Sequence, residues 1–237
     1  MEGKSFEREL PQGYRLASVM DAAKGKFAVI FTLISLVFLI VAVGALALPF
    51  ILDPKPIDDF LYGYGYFMIG ILSSFVYIVL HELVHGAAYK KLTGEKLTYG
   101  FTFTCAYCGV PRIFTYRKTA LIAVLAPFVL FTVLLIPALA VAYNVSVGLY
   151  IVLAVVFAMH FQGCSGDLYV TCLLLFKYRD GRTLMNDTGP RMAFFVPDET
   201  LLGKEDEKTA GFIADMKAEQ AKIRNNSTRY ATKKRER

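Results

Sequence analysis

The stretch YIVLHELVHGAAYKK, residues 77–91, places two histidines and a glutamate inside an apolar segment. That segment runs from about residue 62 to residue 89, which is long enough to cross a bilayer as a helix. Polar and ionisable side chains are costly in hydrocarbon, so they mark a site of function where they do occur there. The stretch therefore predicts a membrane helix that carries a chemical site.

Three further apolar runs, at about 27–51, 120–143 and 146–176, are each long enough to span a bilayer. The chain of 237 residues is 55% hydrophobic, which is unusual for a soluble domain. We therefore expect an all-α membrane protein with about four transmembrane helices, a small hairpin-like cytoplasmic loop and a cytoplasmic tail.

The predicted domain organisation has three parts. Residues 1–26 form a cytoplasmic arm, residues 27–176 form the four-span membrane domain, and residues 177–237 form a cytoplasmic tail with a disordered end. Orientation follows from the loops, since residues 90–119 hold six basic residues and one acidic residue, whereas residues 52–61 hold three Asp and one Lys. The positive-inside rule then places both termini in the cytoplasm, most simply at the cell membrane. The net charge of +6 favours a lipid bilayer, rather than nucleic acid, as the partner.

Residues 93–117 are rich in Thr, Tyr, Phe and Gly with rough alternation, which predicts short strands or a hairpin. Such strands are suited to holding a peptide by strand addition, with Phe101, Phe103 and Tyr107 as candidate substrate contacts. Cys105 and Cys108 lie in the same loop, but a zinc site would need a second pair. Ordinary thiols are favoured there over a redox or metal role.

The segment from His81 to His85 has the spacing H-E-x-x-H. Residues four apart lie on one helix face, so His81 and His85 can offer two imidazole nitrogens to one metal ion. Glu82 is turned away by about 100° and can act on a water molecule without being a ligand. This combination is typical of two zinc ligands and a general base. A catalytic zinc also takes a third protein ligand and keeps one position for water.

Asp167 is the only other charged residue inside the predicted spans. It lies ten residues before Lys177, and His81 lies nine residues before Lys90, so both sit roughly 14 Å inside the same boundary. We therefore predict Asp167 as the third zinc ligand. Two alternatives remain for the Asp167 carboxyl. It could cap a helix break at 163–166, or it could pair with Lys177.

His160 stands seven residues before Asp167, on the same helix face and roughly 10 Å away. It can be a ligand only if the neighbouring glycines distort the helix. Otherwise it supports the site or donates to a developing oxyanion, or it bonds a neighbouring helix for structural reasons alone. The sequence leaves these alternatives open.

Four motifs, HELVHG, LAPFVL, HFQGCSGDLY and DTG, together resemble the family of putative zincin peptidases over roughly residues 60–197. That family is similar in turn to the site-2 proteases, which hydrolyse membrane-embedded peptides with zinc and use an Asp as third ligand. The chain departs from the site-2 pattern, because Gly166 and Leu168 reverse the usual neighbours of the Asp and His160 stands near the place of an Asn. The resemblance implies Zn2+ as cofactor and a peptidase activity.

The predicted function is that of an intramembrane zinc metallopeptidase acting on a membrane-embedded or membrane-adjacent protein or peptide. His81, His85 and Asp167 bind the metal, and Glu82 is the general base. Two other functions fit parts of the pattern. A metal transporter or sensor needs the ligands but not Glu82, and a catalytically silent scaffold binds membrane proteins through the same groove.

Overall fold

Four long apolar segments dominate the computed structural model, which describes residues 4–22, 25–56, 60–101, 106–201, 206–218 and 220–221. The helices are α1 (Gly25–Leu52), α2 (Phe60–Thr93), α3 (Arg117–Val145), α4 (Val147–Gly163) and α5 (Ser165–Cys172), followed by a π-helical turn at Leu173–Lys177. Helices α4 and α5 and the π-helical turn form one nearly continuous segment with a small break at Cys164. Each of the four segments is long and apolar enough to cross a membrane, as the sequence predicted.

Helix α2 lies alongside α4 and runs in the same direction. Near one end the Tyr66 ring lies against Gly148, and further along the Tyr77 hydroxyl lies 2.8 Å from the His160 ring. Both contacts lie further along α4 when they lie further along α2, so the two helices are parallel. Gly148 has no side chain and lets the backbones approach closely. Residues at matching heights on α2 and on the α4–α5 segment therefore face one another.

Helix α1 packs against α4 on its other side. The rings of Phe38 and Phe161 stack at 4.9 Å between centroids, and the Tyr150 hydroxyl donates to the Leu46 carbonyl over 2.7 Å. Most other large apolar side chains of α1 are exposed. Such a surface is suited to contact with lipid rather than water.

Strands supply the remaining regular structure, and they correct the all-α prediction. They are β1 (Phe6–Glu7), β2 (Tyr14–Asp21), β3 (Thr98–Phe101), β4 (Ala106–Gly109), β5 (Phe114–Tyr116), β6 (Leu184–Asp187) and β7 (Arg191–Pro197). Strands β3 and β4 form the expected hairpin, whereas the other five form an antiparallel sheet in the order β1-β5-β6-β7-β2. The predicted arm and tail thus meet in a single sheet.

Both faces of this sheet are covered. Met185 and Phe194 face the ends of the apolar helices, whereas Leu184 and Phe195 face a helix at residues 207–218. All four side chains are fully buried. Because both faces are apolar, the strands lack the alternation that marks a half-exposed strand.

A buried hydrogen bond joins α2 to the sheet. The Tyr89 hydroxyl donates to Asp187 Oδ2 over 2.7 Å, and the Gly189 N–H donates to Asp187 Oδ1 over 2.8 Å. Tyr89 is only 1% exposed, and Asp187 is buried at the end of β6. Burial raises the pKa of Asp187 to about 6.

This raised pKa predicts a pH-dependent stability. When a carboxyl has a higher pKa in the folded than in the unfolded protein, the protein loses stability as pH rises from the unfolded-state pKa to the folded-state pKa. We expect ionisation of Asp187 to destabilise the metal-free protein between about pH 4 and pH 6, by up to about 3 kcal/mol. The Asp187→Asn variant does not titrate, so its melting temperature relative to wild type should rise from pH 4 to pH 7, measured in detergent with chelator. A difference that stays constant with pH would contradict this assignment.

Candidate metal centre

His81, His85 and Asp167 meet at one point between α2 and α5. Asp167 Oδ2 lies 3.2 Å from His81 Nε2 and 3.4 Å from His85 Nε2, and the two nitrogens are 3.2 Å apart. Both histidines are buried, and the Asp167 side chain is largely so. Among the described residues, no ion pair joins Asp167 to Lys177. The carboxyl faces the histidines instead.

The hydrogen bonds of this group leave unpaired lone pairs at its centre. His85 Nδ1 lies 2.9 Å from the Ala123 carbonyl, which can only accept, so Nδ1 carries the proton of the neutral ring. His85 Nε2 then presents a lone pair to a carboxylate oxygen, which also only accepts. Within the described part of the chain, Asp167 Oδ2 is buried without a hydrogen-bond partner. A cation between these atoms would remove the cost of burying them unpaired.

The spacing of the three atoms suits zinc. Ligand atoms about 2.0–2.1 Å from a tetrahedral zinc ion are about 3.4 Å from one another. The three observed separations are 3.2, 3.2 and 3.4 Å. Two imidazole nitrogens and one carboxylate oxygen are also a donor set that zinc takes, with a fourth position left open. The residues therefore fit a zinc ion.

A second group of possible ligands shares His81 and adds His160 and Cys164. Its centre is filled by the Tyr77 hydroxyl, which lies 2.8 Å from Nδ1 of both His81 and His160. The other ring nitrogen of His160 lies 2.9 Å from Thr132 Oγ1. His160 therefore belongs to a hydrogen-bonded group beside the metal centre and does not face Asp167.

Tyr77 is the site residue that the sequence reading missed. It stands four residues before His81, so it lies on the same face of α2 one turn away. That spacing was a usable signal, but tyrosine is common in membrane helices and its partner His160 lies on another helix.

Glu82 lies beside the three converging residues and not among them. Its half-buried carboxyl lines a cavity of about 380 Å³ that also includes His81, His85 and Asp167. Cys108 in β4 lines the same cavity. The arrangement leaves the carboxyl close to the metal centre and in contact with the cavity.

The cavity extends from α1 to the hairpin and to the turn that follows β6. Its volume is within the range of ligand-binding clefts, and apolar side chains form most of its wall. Helix α1 contributes four residues on one face, namely Ala28, Phe31, Thr32 and Ser35. The hairpin and the turn after β6 line the cavity with Tyr107, Cys108, Gly189 and Pro190.

The predicted substrate contacts have different positions. Tyr107 lines the cavity, whereas Phe101 is 74% exposed at the end of β3. Phe103 and Cys105 lie outside the described residues. Cys108 is buried, and burial raises the pKa of its thiol to about 12, which disfavours reactivity.

Two glycines seat the hairpin beside the metal centre. A β-carbon at Gly86, directly after the second histidine, would overlap the Tyr99 hydroxyl. A β-carbon at Gly189, whose φ is 98°, would overlap the Tyr107 ring. The hairpin can therefore contact α2 and the turn after β6 at once only because both positions lack a side chain.

Comparison with known proteins agrees with this geometry. Residues 74–181 match the family described as putative zincin peptidase. The match confirms the predicted resemblance, and the description implies a zinc-dependent peptidase. The matched residues include His81, Glu82, His85 and Asp167. No curated protein and no solved structure matches the chain.

The close contact between Gly86 and Tyr99 predicts a displaced hairpin in the Gly86→Ala variant. We expect faster alkylation of Cys108, quantified at the peptide level by mass spectrometry, because the new methyl group forces Tyr99 away. Gly65→Ala on the same helix is the control, since a β-carbon there meets nothing within 4 Å. Adding Tyr99→Phe should partly reverse the effect by removing the overlapping hydroxyl. Unchanged alkylation in Gly86→Ala would contradict the close contact.

Proposed function

We propose that the protein is a zinc metallopeptidase that hydrolyses peptide bonds of membrane-embedded or membrane-adjacent substrates. The observation that carries this proposal is the convergence of His81, His85 and Asp167 within 3.4 Å, with Glu82 on the same cavity. The family match supports the peptidase class. The four apolar helices support placement in a membrane, and the loop charges favour cytoplasmic termini.

Each residue at the centre has a role in this proposal. His81, His85 and Asp167 hold the metal. A zinc ion there supplies a Lewis acid that activates water and polarises a substrate carbonyl. Glu82 accepts the proton of the attacking water and passes it to the leaving amine.

The hairpin offers a way to present a substrate in extended form. A helical substrate hides its scissile amide in backbone hydrogen bonds and must unwind before hydrolysis. The Val110 N–H donates to the Asp187 carbonyl over 2.8 Å, so it points away from β3. Backbone direction alternates along a strand, so Ala106 turns the same edge toward the cavity.

Strand addition at this edge would place a peptide backbone beside Glu82. Main-chain hydrogen bonds give affinity in this mode, and adjacent pockets select side chains. The mainly apolar wall of the cavity favours apolar substrate residues, as expected for a segment drawn from a membrane. Tyr107 in β4 lines this cavity, whereas the exposed Phe101 lies in β3, on the other strand of the hairpin.

The metal centre predicts one zinc ion per chain in protein purified without chelator, measured by elemental analysis in detergent. His81→Ala and Asp167→Ala should each lose or greatly weaken zinc binding, since each removes one ligand. Asp198→Ala is the control, because this carboxyl lies outside the centre. Absence of zinc from wild type would overturn the metal centre.

Glu82→Ala separates a peptidase from the alternative functions. We expect this variant to keep zinc and to lose cleavage, because it removes the base and no ligand. The measurement compares new protein N-termini in membranes of cells that express wild type or Glu82→Ala. N-termini that depend on wild type alone support a peptidase. Identical N-termini in both, with zinc bound, favour a scaffold or a metal transporter.

The strand edge predicts a specific effect of proline. Ala106→Pro removes one backbone donor from the edge that faces the cavity and leaves the ladder between β3 and β4 intact. Cleavage should fall while zinc content stays at the wild-type level. Ala106→Val is the matched control, because it adds similar bulk and keeps the N–H. Equal cleavage by the two variants would exclude strand addition at this position.

A further inference from the structure

Tyr77 joins the metal centre to a chain of buried polar groups. Its hydroxyl lies 2.8 Å from His81 Nδ1 and 2.8 Å from His160 Nδ1, and His160 Nε2 lies 2.9 Å from Thr132 Oγ1. Tyr77 is 5% exposed and His160 is fully buried. The chain thus crosses from α2 through α4 to α3, where Thr132 is half-buried.

The direction of every hydrogen bond in this chain follows from the first residue. If His81 Nε2 binds a metal, its lone pair is used there, and the single proton of the neutral ring lies on Nδ1. His81 Nδ1 then donates to the Tyr77 oxygen. The hydroxyl of Tyr77 has one proton, which it donates to His160 Nδ1. His160 in turn carries its proton on Nε2 and donates it to Thr132 Oγ1.

We propose that Tyr77, His160 and Thr132 are positioning residues that fix the tautomer and ring orientation of His81. This inference rests on the proposed function, because it requires a metal on His81 Nε2. Metal-ligating histidines generally donate their other ring N–H to a fixed partner, which orients the ring and increases its basicity. His85 has a backbone partner of this kind in the Ala123 carbonyl, whereas the partner of His81 Nδ1 among the described residues is the side chain of Tyr77.

The surroundings of His160 keep the chain in this arrangement. The rings of Phe128, Phe131 and Phe157 lie 5.9–6.1 Å from the His160 ring, centroid to centroid. Cys164 Sγ lies 3.5 Å from His160 Nδ1, but sulfur is a weak hydrogen-bonding group. Tyr77 is therefore the strong donor available to His160 Nδ1. With both nitrogens engaged, His160 is a support for His81 and has no free N–H for an oxyanion.

The test is the zinc affinity of Tyr77→Phe, measured by competition with a chelator of known affinity. We expect a loss of about 10- to 100-fold, the usual effect of removing the partner of a metal-bound histidine. The cobalt(II) absorption band should also change, because the His81 ring is no longer held in one orientation. Tyr150→Phe is the matched control, since this buried hydroxyl donates to the Leu46 carbonyl far from the centre.

Variants of His160 test whether the residues act as a chain. His160→Phe removes the acceptor of the Tyr77 proton and should lower zinc affinity, as Tyr77→Phe does. His160→Asn keeps an acceptor near the position of Nδ1 and should lose less. The double variant Tyr77→Phe/His160→Phe should bind zinc no more weakly than Tyr77→Phe alone, because His160 acts through Tyr77. Additive losses of zinc affinity would show that His160 does not act through Tyr77 and would overturn the proposed chain of hydrogen bonds.

The outcomes separate this inference from the proposed function. Wild-type zinc affinity and an unchanged cobalt(II) band in Tyr77→Phe would overturn the positioning role and leave the metal centre intact. A lower melting temperature of metal-free Tyr77→Phe with unchanged zinc affinity would likewise overturn it, since Tyr77 would then serve packing alone. If wild type binds no zinc, the proposed function fails first and the inference fails with it.

Discussion

The meeting of two imidazole nitrogens and a carboxylate oxygen in an apolar interior is the constraint on which the rest of the structure depends. His85 Nε2 and Asp167 Oδ2 face each other at 3.4 Å with no hydrogen atom available between a neutral ring and a carboxylate. An isolated buried carboxylate costs several kcal/mol or more. Such a contact needs either a metal ion or a ring proton that a histidine donates to the carboxylate, and it requires α2 and α5 to lie side by side at one height.

One face of α2 connects the whole molecule. Tyr77, His81, His85 and Tyr89 follow one another at intervals of four residues, so they lie along the same side of the helix. Each contacts a different element: Tyr77 contacts α4, His81 contacts α5, His85 contacts the backbone of α3, and Tyr89 contacts the end of β6. The position of the metal centre and the position of the sheet are therefore set by the same helix face.

The sequence predicted the spans, the hairpin and the residues of the centre because these signals are local or rare. An Asp or a His in an apolar run is visible against its background, and equal distances from the flanking lysines place His81 and Asp167 at one depth. The sheet was not predictable in the same way. Its strands come from separated parts of the chain, β1 has two residues, and burial of both faces removes the alternation that identifies a strand. The role of Tyr77 depends on His160 across the bundle, which spacing along one helix cannot give.

The two histidines and Glu82 differ in burial, in a way that fits their proposed roles. The two histidines are 7–8% exposed, so their rings are held by hydrogen bonds and packing, whereas Glu82 is half-buried on the cavity wall. A ligand must stay in place and a base must exchange protons with water, so these environments suit the roles proposed for each. A hydrolase in a membrane also needs an apolar chain and water at the same point. The cavity that contains Glu82 has a mainly apolar wall, and it also borders Thr32 and Ser35 of α1, strand β4 and the turn after β6, so apolar and polar groups meet there.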